Sequence, residues 1–337
     1  MNWFEQLLGF SEGLHRENPD ELREKLELKD GKLRSRVNES AYEVGRLDTP
    51  SLDSLREATR GQLNRGGKTT LEERVGDVQG LHTDAENAGA FFQVASQFNL
   101  LEMVGPTVTP EQGVTGYAHD HTQGPACAIA CGAGTIFRNY FVRIDGQVGQ
   151  TAERQIDCSR DLGVELGNDK GQLWAMRNGY LLPGREGLAT VNERIESLSP
   201  EERDSLCGKL RIGVQEDTEV TIQKAGHLVT QAFCSAVPVA YSELPDSLWE
   251  PLARVVLDAS YEATLHAALL NSVRTGNPAV YLTLLGGGAF GNRIEWIIEA
   301  LEKALSNFRE AGLSVYVVSY GSSNSTVAAA IERFNRG

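Results

Sequence analysis

From residue 81 onward, strand-like segments alternate with helix-like segments, and this alternation limits which folds the chain can adopt. Runs with the composition or alternation of β-strands occupy residues 90–97, 210–222, 227–241, 279–285 and 314–320. Helical patterns separate them at residues 125–141, 194–210, 248–272 and 292–310. This spacing is typical of a largely parallel sheet with helices on both faces. We therefore expect a three-layer α/β/α fold.

Two regions depart from the alternation and suggest how the chain is organised. Residues 1–75 combine short amphipathic helices with short strands, and we interpret them as a mainly helical N-terminal accessory region. Residues 76–337 are then the main domain. Residues of about 142–225 are mixed in pattern, so we predict an insertion into that domain at this point.

The charge of the chain excludes several classes of partner. Its 337 residues include 32 Lys and Arg and 46 Asp and Glu, which gives a net charge of −14 at pH 7. Nonspecific nucleic-acid binding and acidic-membrane binding depend on basic residues at phosphates, so we expect neither. No apolar run is long enough to predict a membrane span. A small anion remains compatible with this charge if backbone N–H groups and helix ends bind it.

The cysteines bear on the cellular compartment. Five of them are scattered along the chain, an odd number that does not suggest a disulfide framework. The N-terminal residues carry an early acidic residue and do not match a signal peptide. We therefore expect a cytoplasmic protein.

Two glycine-rich segments invite comparison with phosphate-binding loops. Residues 65–70 read Arg-Gly-Gly-Lys-Thr-Thr, but an ATP-binding loop needs Gly six positions before Lys68, where this chain has Gln62. We interpret that segment as a polar turn. Residues 285–292 lie between a predicted buried strand and a helix, where glycines let the backbone approach a phosphate. The alternative there is a tight turn with close helix packing. A dinucleotide fold is not indicated, because the next strand ends without an acidic residue.

The order of these motifs resembles the macro domain, the ADP-ribose-binding fold that also includes the poly(ADP-ribose) glycohydrolases. The run Gly286-Gly-Gly-Ala-Phe-Gly291 and the strand after it are similar to the C-terminal phosphate loop and last strand of that family. Asp84 and Asn99, 15 residues apart, resemble its adenine-binding Asp and the Asn that ends a strand. The segment that starts at Gln123 is similar to its first glycine loop. Within this superfamily, the chain resembles the MavL-like ADP-ribosyl hydrolases, which act on ADP-ribosylated arginine.

This resemblance implies roles for individual residues. Asp84 would accept a hydrogen bond from the adenine amino group, and Asn99 and Gln123 would contact the distal ribose. Tyr320 lies where an aromatic ring would cover adenine or ribose, with core packing as the alternative. The diphosphate would be held by the loop and the helix start, which comprise Gly286, Gly287, Gly288, Ala289, Phe290, Gly291 and Asn292.

The segment that starts at Gln123 lacks the Gln-Glu-Glu of the glycohydrolases, so the resemblance does not identify the catalytic residues. Breaking the C1 bond of ribose passes through an oxocarbenium-like state and needs carboxylates to orient water and stabilise positive charge. Asp217 and Glu219 are two residues apart on a predicted strand, so alternation places both on one face. We predict these two as catalytic, together with Asp120. The alternative is that they form the exposed polar face of an edge strand.

The long loop at 104–124 is a second source of catalytic groups. It carries Glu111, His119, Asp120 and His121, and Glu102 precedes it. Three adjacent residues rarely converge on one ion, so no transition-metal site is predicted from His119-Asp-His121. A site in which Asp120 binds Mg²⁺ or Ca²⁺ is the alternative that the sequence does not exclude.

The sequence as a whole predicts a hydrolase that removes ADP-ribose from modified protein side chains, with arginine-linked ADP-ribose favoured. Water would attack C1 of the distal ribose with the help of a carboxylate, and no resident cofactor is expected. The expected partners are the ADP-ribosylated protein and ADP-ribose itself. The alternative is a module that binds ADP-ribose or a related nucleotide without cleaving it.

Overall fold

The computed structural model describes residues 2–15, 18–64 and 67–336, without the side chains of residues 14 and 15. Arg65 and Gly66, in the segment that precedes Lys68, therefore lie outside the described residues. Its strands are β1 (Leu26–Lys29), β2 (Lys32–Ser35), β3 (Ala41–Glu43), β4 (Arg46–Asp48), β5 (Thr70–Val75), β6 (Phe91–Ala95), β7 (Arg143–Ile144), β8 (Gln147–Val148), β9 (Trp174–Arg177), β10 (Tyr180–Pro183), β11 (Gly213–Glu219), β12 (Leu228–Cys234), β13 (Ala279–Leu282) and β14 (Ser314–Ser319).

The α-helices are α1 (Trp3–Leu8), α2 (Pro19–Glu24), α3 (Leu52–Ala58), α4 (Val78–Thr83), α5 (Gln123–Ala130), α6 (Gly132–Tyr140), α7 (Arg160–Glu165), α8 (Arg185–Ser197), α9 (Pro200–Gly208), α10 (Asp246–Thr275), α11 (Ile294–Ser306) and α12 (Ser325–Arg336). Across the described part of the chain, no helix has the length and apolar character needed to cross a membrane.

A seven-stranded sheet forms the centre of the molecule, in the order β4-β11-β12-β6-β13-β14-β5. The five strands from β12 to β5 run parallel, while β11 is antiparallel to both of its neighbours. In β6 and β12 nearly every residue is buried, as expected for strands covered on both faces. The predicted α/β fold with a largely parallel sheet is confirmed.

Helices cover both faces of this sheet. On one face, Gln93 of β6 donates through Nε2 to Thr264 Oγ1 of α10, at 3.0 Å. On the other face, the adjacent Phe92 stacks on His82 of α4, with ring centroids 3.8 Å apart. Successive side chains of a strand point to opposite faces, so these two contacts place α10 and α4 in different layers.

Two of the predicted helices are interrupted. The helix predicted at 125–141 is divided into α5 and α6 at Cys131, and a Cβ on the following Gly132 would come within 2.8 Å of the Trp3 ring. The helix predicted at 194–210 overlaps α8 and α9, which are separated by Leu198 and Ser199. Ser199 caps α9 there, and proline is favoured in a first helical turn but not in a helix interior.

The predicted accessory region is closely joined to the rest of the molecule. Its strands β4 and β5 form the two edges of the central sheet. Its apolar residues Phe4 and Leu33 share a buried cluster with Ile136 of α6. The predicted insertion likewise contributes β11 to the central sheet.

Candidate functional site

A cleft lies at the edge of the sheet where the parallel strands end. Ligands of open α/β sheets bind at this edge, beyond the carboxyl ends of the strands. The cleft has two adjoining parts, which we name the β6 cavity and the β14 cavity after the nearest strands. The β6 cavity is bordered by Glu102, Asp120, Tyr180, Tyr241 and Phe290, among others. The β14 cavity is bordered by Asp77, His121, Ser319, Tyr320 and Asn324, among others. Shared residues are Thr122, Gln123, Thr283, Leu284 and Gly288.

The glycine loop between β13 and α11 forms one wall of the cleft, and its shape depends on two glycines. Gly286 has a φ of 75°, and a Cβ there would come within 2.4 Å of Ala236 Cβ. Gly291 has a φ of 70°, and a Cβ there would come within 2.8 Å of Ala240 Cβ. A residue with a side chain would therefore be strained and crowded at both positions.

Backbone N–H groups of this loop are available to a ligand. Within the described residues, the N–H groups of Gly288, Ala289 and Phe290 have no hydrogen-bond acceptor, whereas those of Gly287 and Gly291 donate to carbonyl groups of the same segment. No Lys or Arg lines either cavity in the described part of the chain. An anion in the cleft would therefore be held by backbone N–H groups, as it is in glycine-rich phosphate loops.

Glu102 is a buried carboxylate at the border of the β6 cavity, which Asp120 also borders. Glu102 is only 2% exposed, and neither of its carboxylate oxygens has a hydrogen-bond partner among the described residues. Burial raises the pKa of Glu102 to about 7. A carboxyl group with a pKa near neutral that faces a cavity is well suited to accept a proton from water.

Close packing of α5 against β6 places its first turn beside Glu102. A Cβ on Gly124 would lie 1.9 Å from the carbonyl oxygen of Ala95 and 3.2 Å from Glu102 Cγ, so this position requires glycine. Gln123 fastens the same turn to the strand. Its Oε1 accepts from Ala95 N at 2.9 Å, and its Nε2 donates to Gln93 O at 2.8 Å.

Three aromatic rings form another wall of the β6 cavity. The centroid of Tyr180 lies 5.0 Å from that of Tyr241 and 5.3 Å from that of Phe290. The Tyr180 hydroxyl donates to Met103 O at 2.6 Å, which fixes the ring in place. These rings offer a rigid apolar surface to a sugar or side chain in the cavity.

The β14 cavity lies between the ends of β14 and β5. Asp77 follows β5 and caps α4, with its carboxylate accepting from Gln79 N at 3.2 Å. Glu73 of β5 accepts from Ser319 Oγ at 2.6 Å and from Asn324 N at 2.7 Å, which holds the turn after β14. Tyr320 in this turn is 86% exposed and borders the cavity.

The structure brings seven of the predicted site residues to the cleft: Asp120, Gln123, Gly286, Gly288, Ala289, Phe290 and Tyr320. Three further predicted residues, Gly287, Gly291 and Asn292, support the loop instead. Asn292 closes it, because its backbone N–H donates to Gly286 O at 2.9 Å and its Nδ2 to Val237 O at 2.8 Å.

Asp84 and Asn99 do not line the cleft, which corrects the roles predicted for them. Asp84 precedes β6, at the opposite end of that strand, and its carboxylate accepts from Glu86 N at 3.0 Å. Asn99 is fully buried and donates to Gln155 Oε1 at 2.7 Å, so it shapes the turn that leads to Glu102.

Asp217 and Glu219 also lie outside both cavities, which corrects the predicted catalytic pair. A β-bulge between Gln215 and Thr218 interrupts the alternation that the prediction assumed, and Asp217 has a φ of 55°. Asp217 forms a salt bridge with Arg274 at 2.6 Å. The Glu219 carboxylate accepts from Glu43 N at 2.9 Å.

Glu102 was considered only as a carboxylate next to the long loop and was not predicted as catalytic, and Asp77 was not considered, although a signal for both is present in the sequence. Each follows shortly after a strand of the parallel part of the sheet, where site residues are concentrated. For metals, no group of three or more His, Cys, Asp or Glu side chains that could bind an ion occurs in the described segments.

Comparisons with known proteins give structural similarities only. No protein-family model and no curated protein matches the chain. A mutant poly(ADP-ribose) glycohydrolase from Deinococcus radiodurans in complex with ADP-ribose has a TM-score of 0.44 and 14% identity, covering 86% of this chain and 92% of its own.

The glycohydrolase from Thermomonospora curvata has a TM-score of 0.44 and 13% identity, covering 95% of this chain and 99% of its own. The same enzyme bound to the inhibitor ADP-HPD has a TM-score of 0.43 and 13% identity, covering 95% of this chain and 98% of its own.

Proposed function

We propose that this protein is a hydrolase that removes ADP-ribose from modified protein side chains. The observation that carries the proposal is the pairing of two features in one cleft. Glu102 faces the β6 cavity with both carboxylate oxygens free of hydrogen-bond partners in the described structure. Gly288, Ala289 and Phe290 of the glycine loop, whose N–H groups have no acceptor in the described structure, border the same cavity. An ADP-ribosyl substrate would use both features. Its diphosphate would accept hydrogen bonds from the N–H groups, and the ribose on which the reaction occurs would need the carboxylate.

In this proposal the ligand spans the two cavities. The diphosphate accepts hydrogen bonds from Gly288, Ala289 and Phe290. Adenosine occupies the β14 cavity, where the Asp77 carboxylate accepts from the adenine amino group and Tyr320 covers the ring. The distal ribose occupies the β6 cavity, so that its C1 lies near Glu102.

The proposed reaction is the attack of water on C1. The ionised Glu102 carboxylate takes a proton from water as the oxygen bonds to C1, and the bond from C1 to the side-chain nitrogen breaks. The bonding electrons go to that nitrogen, which takes up the proton that Glu102 removed from water, so the carboxylate is ionised again. Asp120, which also borders the β6 cavity, stabilises positive charge on the ribose and on a departing guanidine, which favours arginine-linked ADP-ribose. No resident cofactor enters this scheme.

An assay of ADP-ribose release tests the function. Proteins ADP-ribosylated on arginine, on serine and on Asp or Glu are incubated with the enzyme, and free ADP-ribose is measured. We expect release, fastest from arginine. No release from any substrate, together with tight binding of ADP-ribose in calorimetry, would instead indicate a binding module. The modified protein is the expected partner, and a cytoplasmic location is proposed on the basis of five buried, unpaired cysteines.

A further inference from the structure

Arg138 of α6 is fully buried, which is rare for a guanidinium group. Its Nε donates to Leu100 O at 3.0 Å, and its Nη1 donates to Gln215 Oε1 at 2.8 Å. Its Nη2 donates to Thr135 Oγ1 at 3.2 Å. The group also lies over the ring of Phe233, with 3.7 Å between Cζ and the ring centroid. These contacts hold the guanidinium in one orientation.

None of these partners carries a negative charge, so the charge of Arg138 must be balanced elsewhere. The anion within reach is Glu102, whose Oε2 lies 3.5 Å from Nη2. This distance permits strong Coulomb attraction in a buried site but is too long for a good hydrogen bond. Arg138 therefore balances the charge of Glu102, while both carboxylate oxygens remain without a protein hydrogen-bond donor in the described structure.

We infer that Arg138 is a positioning residue for the hydrolysis proposed above, a fixed counter-charge behind Glu102 that keeps this carboxylate ionised without occupying its oxygens. The inference depends on the proposed function for its role in turnover. Its electrostatic content, that Arg138 controls the ionisation of Glu102, can be measured without turnover.

The other titratable groups around Glu102 do not supply a positive charge. Tyr117 accepts from Glu102 N at 3.0 Å, and burial raises the pKa of Tyr117 well above its usual value. Burial also raises the pKa of the Cys127 thiol on α5, so both groups are neutral near pH 7. Asp120 borders the same cavity and adds negative charge. Of the described residues, Arg138 is the one cation that forms a salt bridge with Glu102.

Two substitutions should move the ionisation of Glu102 in opposite directions. Arg138→Met keeps an unbranched chain but removes the charge, so the midpoint of Glu102 titration should rise by about 1 pH unit or more. Thr135→Val keeps the shape but removes the neutral acceptor of Nη2. Glu102 is then the remaining acceptor for Nη2. A hydrogen bond from Nη2 would stabilise the ionised carboxylate, so the midpoint of the Glu102 titration should fall. Arg138→Lys should restore part of the shift.

The direct measurement is carbon-13 NMR of the Glu102 carboxyl group, assigned by its loss in Glu102→Gln. In each variant, the midpoint of the Glu102 titration should agree with the pH at which the rate of ADP-ribose release falls to half on acidification. Unchanged midpoints, or shifts of the same sign in Arg138→Met and Thr135→Val, would overturn the inference. If Arg138→Met does not fold, the downward shift in Thr135→Val decides. A wild-type protein that shows these titrations but no release would refute the proposed function and leave the electrostatic role of Arg138 established.

Discussion

At the scale of single residues, a substitution of Glu102 distinguishes two candidate catalytic sites. One is the cleft that Glu102 borders, and the other is the carboxylate pair, Asp217 and Glu219, that strand alternation predicted. Glu102→Gln keeps the shape of the side chain but cannot take a proton. We expect ADP-ribose release to fall by about 10² to 10⁴-fold, while calorimetry shows little change in ADP-ribose affinity. The matched control is Asp217→Asn, which should retain near-normal release because Asp217 is paired with Arg274 outside the cleft. Loss of activity in the control alone would restore Asp217 as the catalytic residue.

The pH dependence of release also reports on Glu102. Burial raises its pKa to about 7, and the proposed reaction requires the ionised form. The rate should therefore be high above pH 7 and should fall as the pH is lowered through about 7, where the carboxylate becomes protonated. Initial rates from pH 5 to pH 9 give the profile. A rate that increased on acidification would mean that Glu102 donates a proton instead.

Gly288 tests the position of the diphosphate. A Cβ at Gly288 would meet nothing within 4 Å and the residue borders both cavities, so Gly288→Val should fold normally. The valine side chain would crowd the N–H groups beside it, and we expect the affinity for ADP-ribose to fall by roughly tenfold or more, as in loss of one or two hydrogen bonds. Gly184→Val, also in open space but outside the cleft, is the control. Unchanged affinity in Gly288→Val would mean that the diphosphate lies elsewhere.

At the scale of elements, the N-terminal segment helps to hold the loop that leads to the cleft. Glu12 is fully buried, and its carboxylate accepts from Val114 N at 2.9 Å, Thr115 N at 2.8 Å and Tyr140 Oη at 2.9 Å. A Cβ on Gly113 would come within 2.5 Å of this carboxylate. The same loop carries Asp120, so segments far apart in sequence meet at one site.

Glu12→Gln should therefore weaken the fold around that loop. An amide offers one acceptor oxygen and turns its NH₂ toward N–H donors, so we expect unfolding free energy to fall by about 2 kcal/mol, measured by denaturant titration. Glu24→Gln on α2, which is exposed, is the matched control and should change stability by less than about 0.5 kcal/mol. Equal stability of the two variants would show that the loop does not depend on Glu12.

At the scale of the whole molecule, the net charge of −14 is compatible with an anionic ligand because of how the cleft is built. Within the described structure, no Lys or Arg side chain borders either cavity, so backbone N–H groups would hold an anionic ligand there. Calorimetry from about 50 to about 500 mM NaCl should then show ADP-ribose affinity changing by less than about threefold. A steep fall with salt would instead indicate that Lys or Arg side chains bind the phosphates.

The sequence by itself determined the local features of this protein. Strand and helix periodicities depend on neighbouring residues, so they predicted the α/β alternation and the position of the glycine loop between β13 and α11. The loop residues Gly286 and Gly288 were predicted for the same reason. Alternation failed at Asp217 and Glu219, because a bulge depends on the pairing of β11 with β12, which the local pattern does not contain.

The tertiary structure alone decided which polar groups share a site. Glu102 lies in the cleft because β6, β13 and β14 run parallel and end at the same edge, and its environment includes Arg138 from α6. Burial, which raises the pKa of Glu102, exists only when the elements pack together. The proposed catalytic group therefore depends on contacts between residues distant in sequence, whereas the glycine loop is encoded within a few consecutive residues.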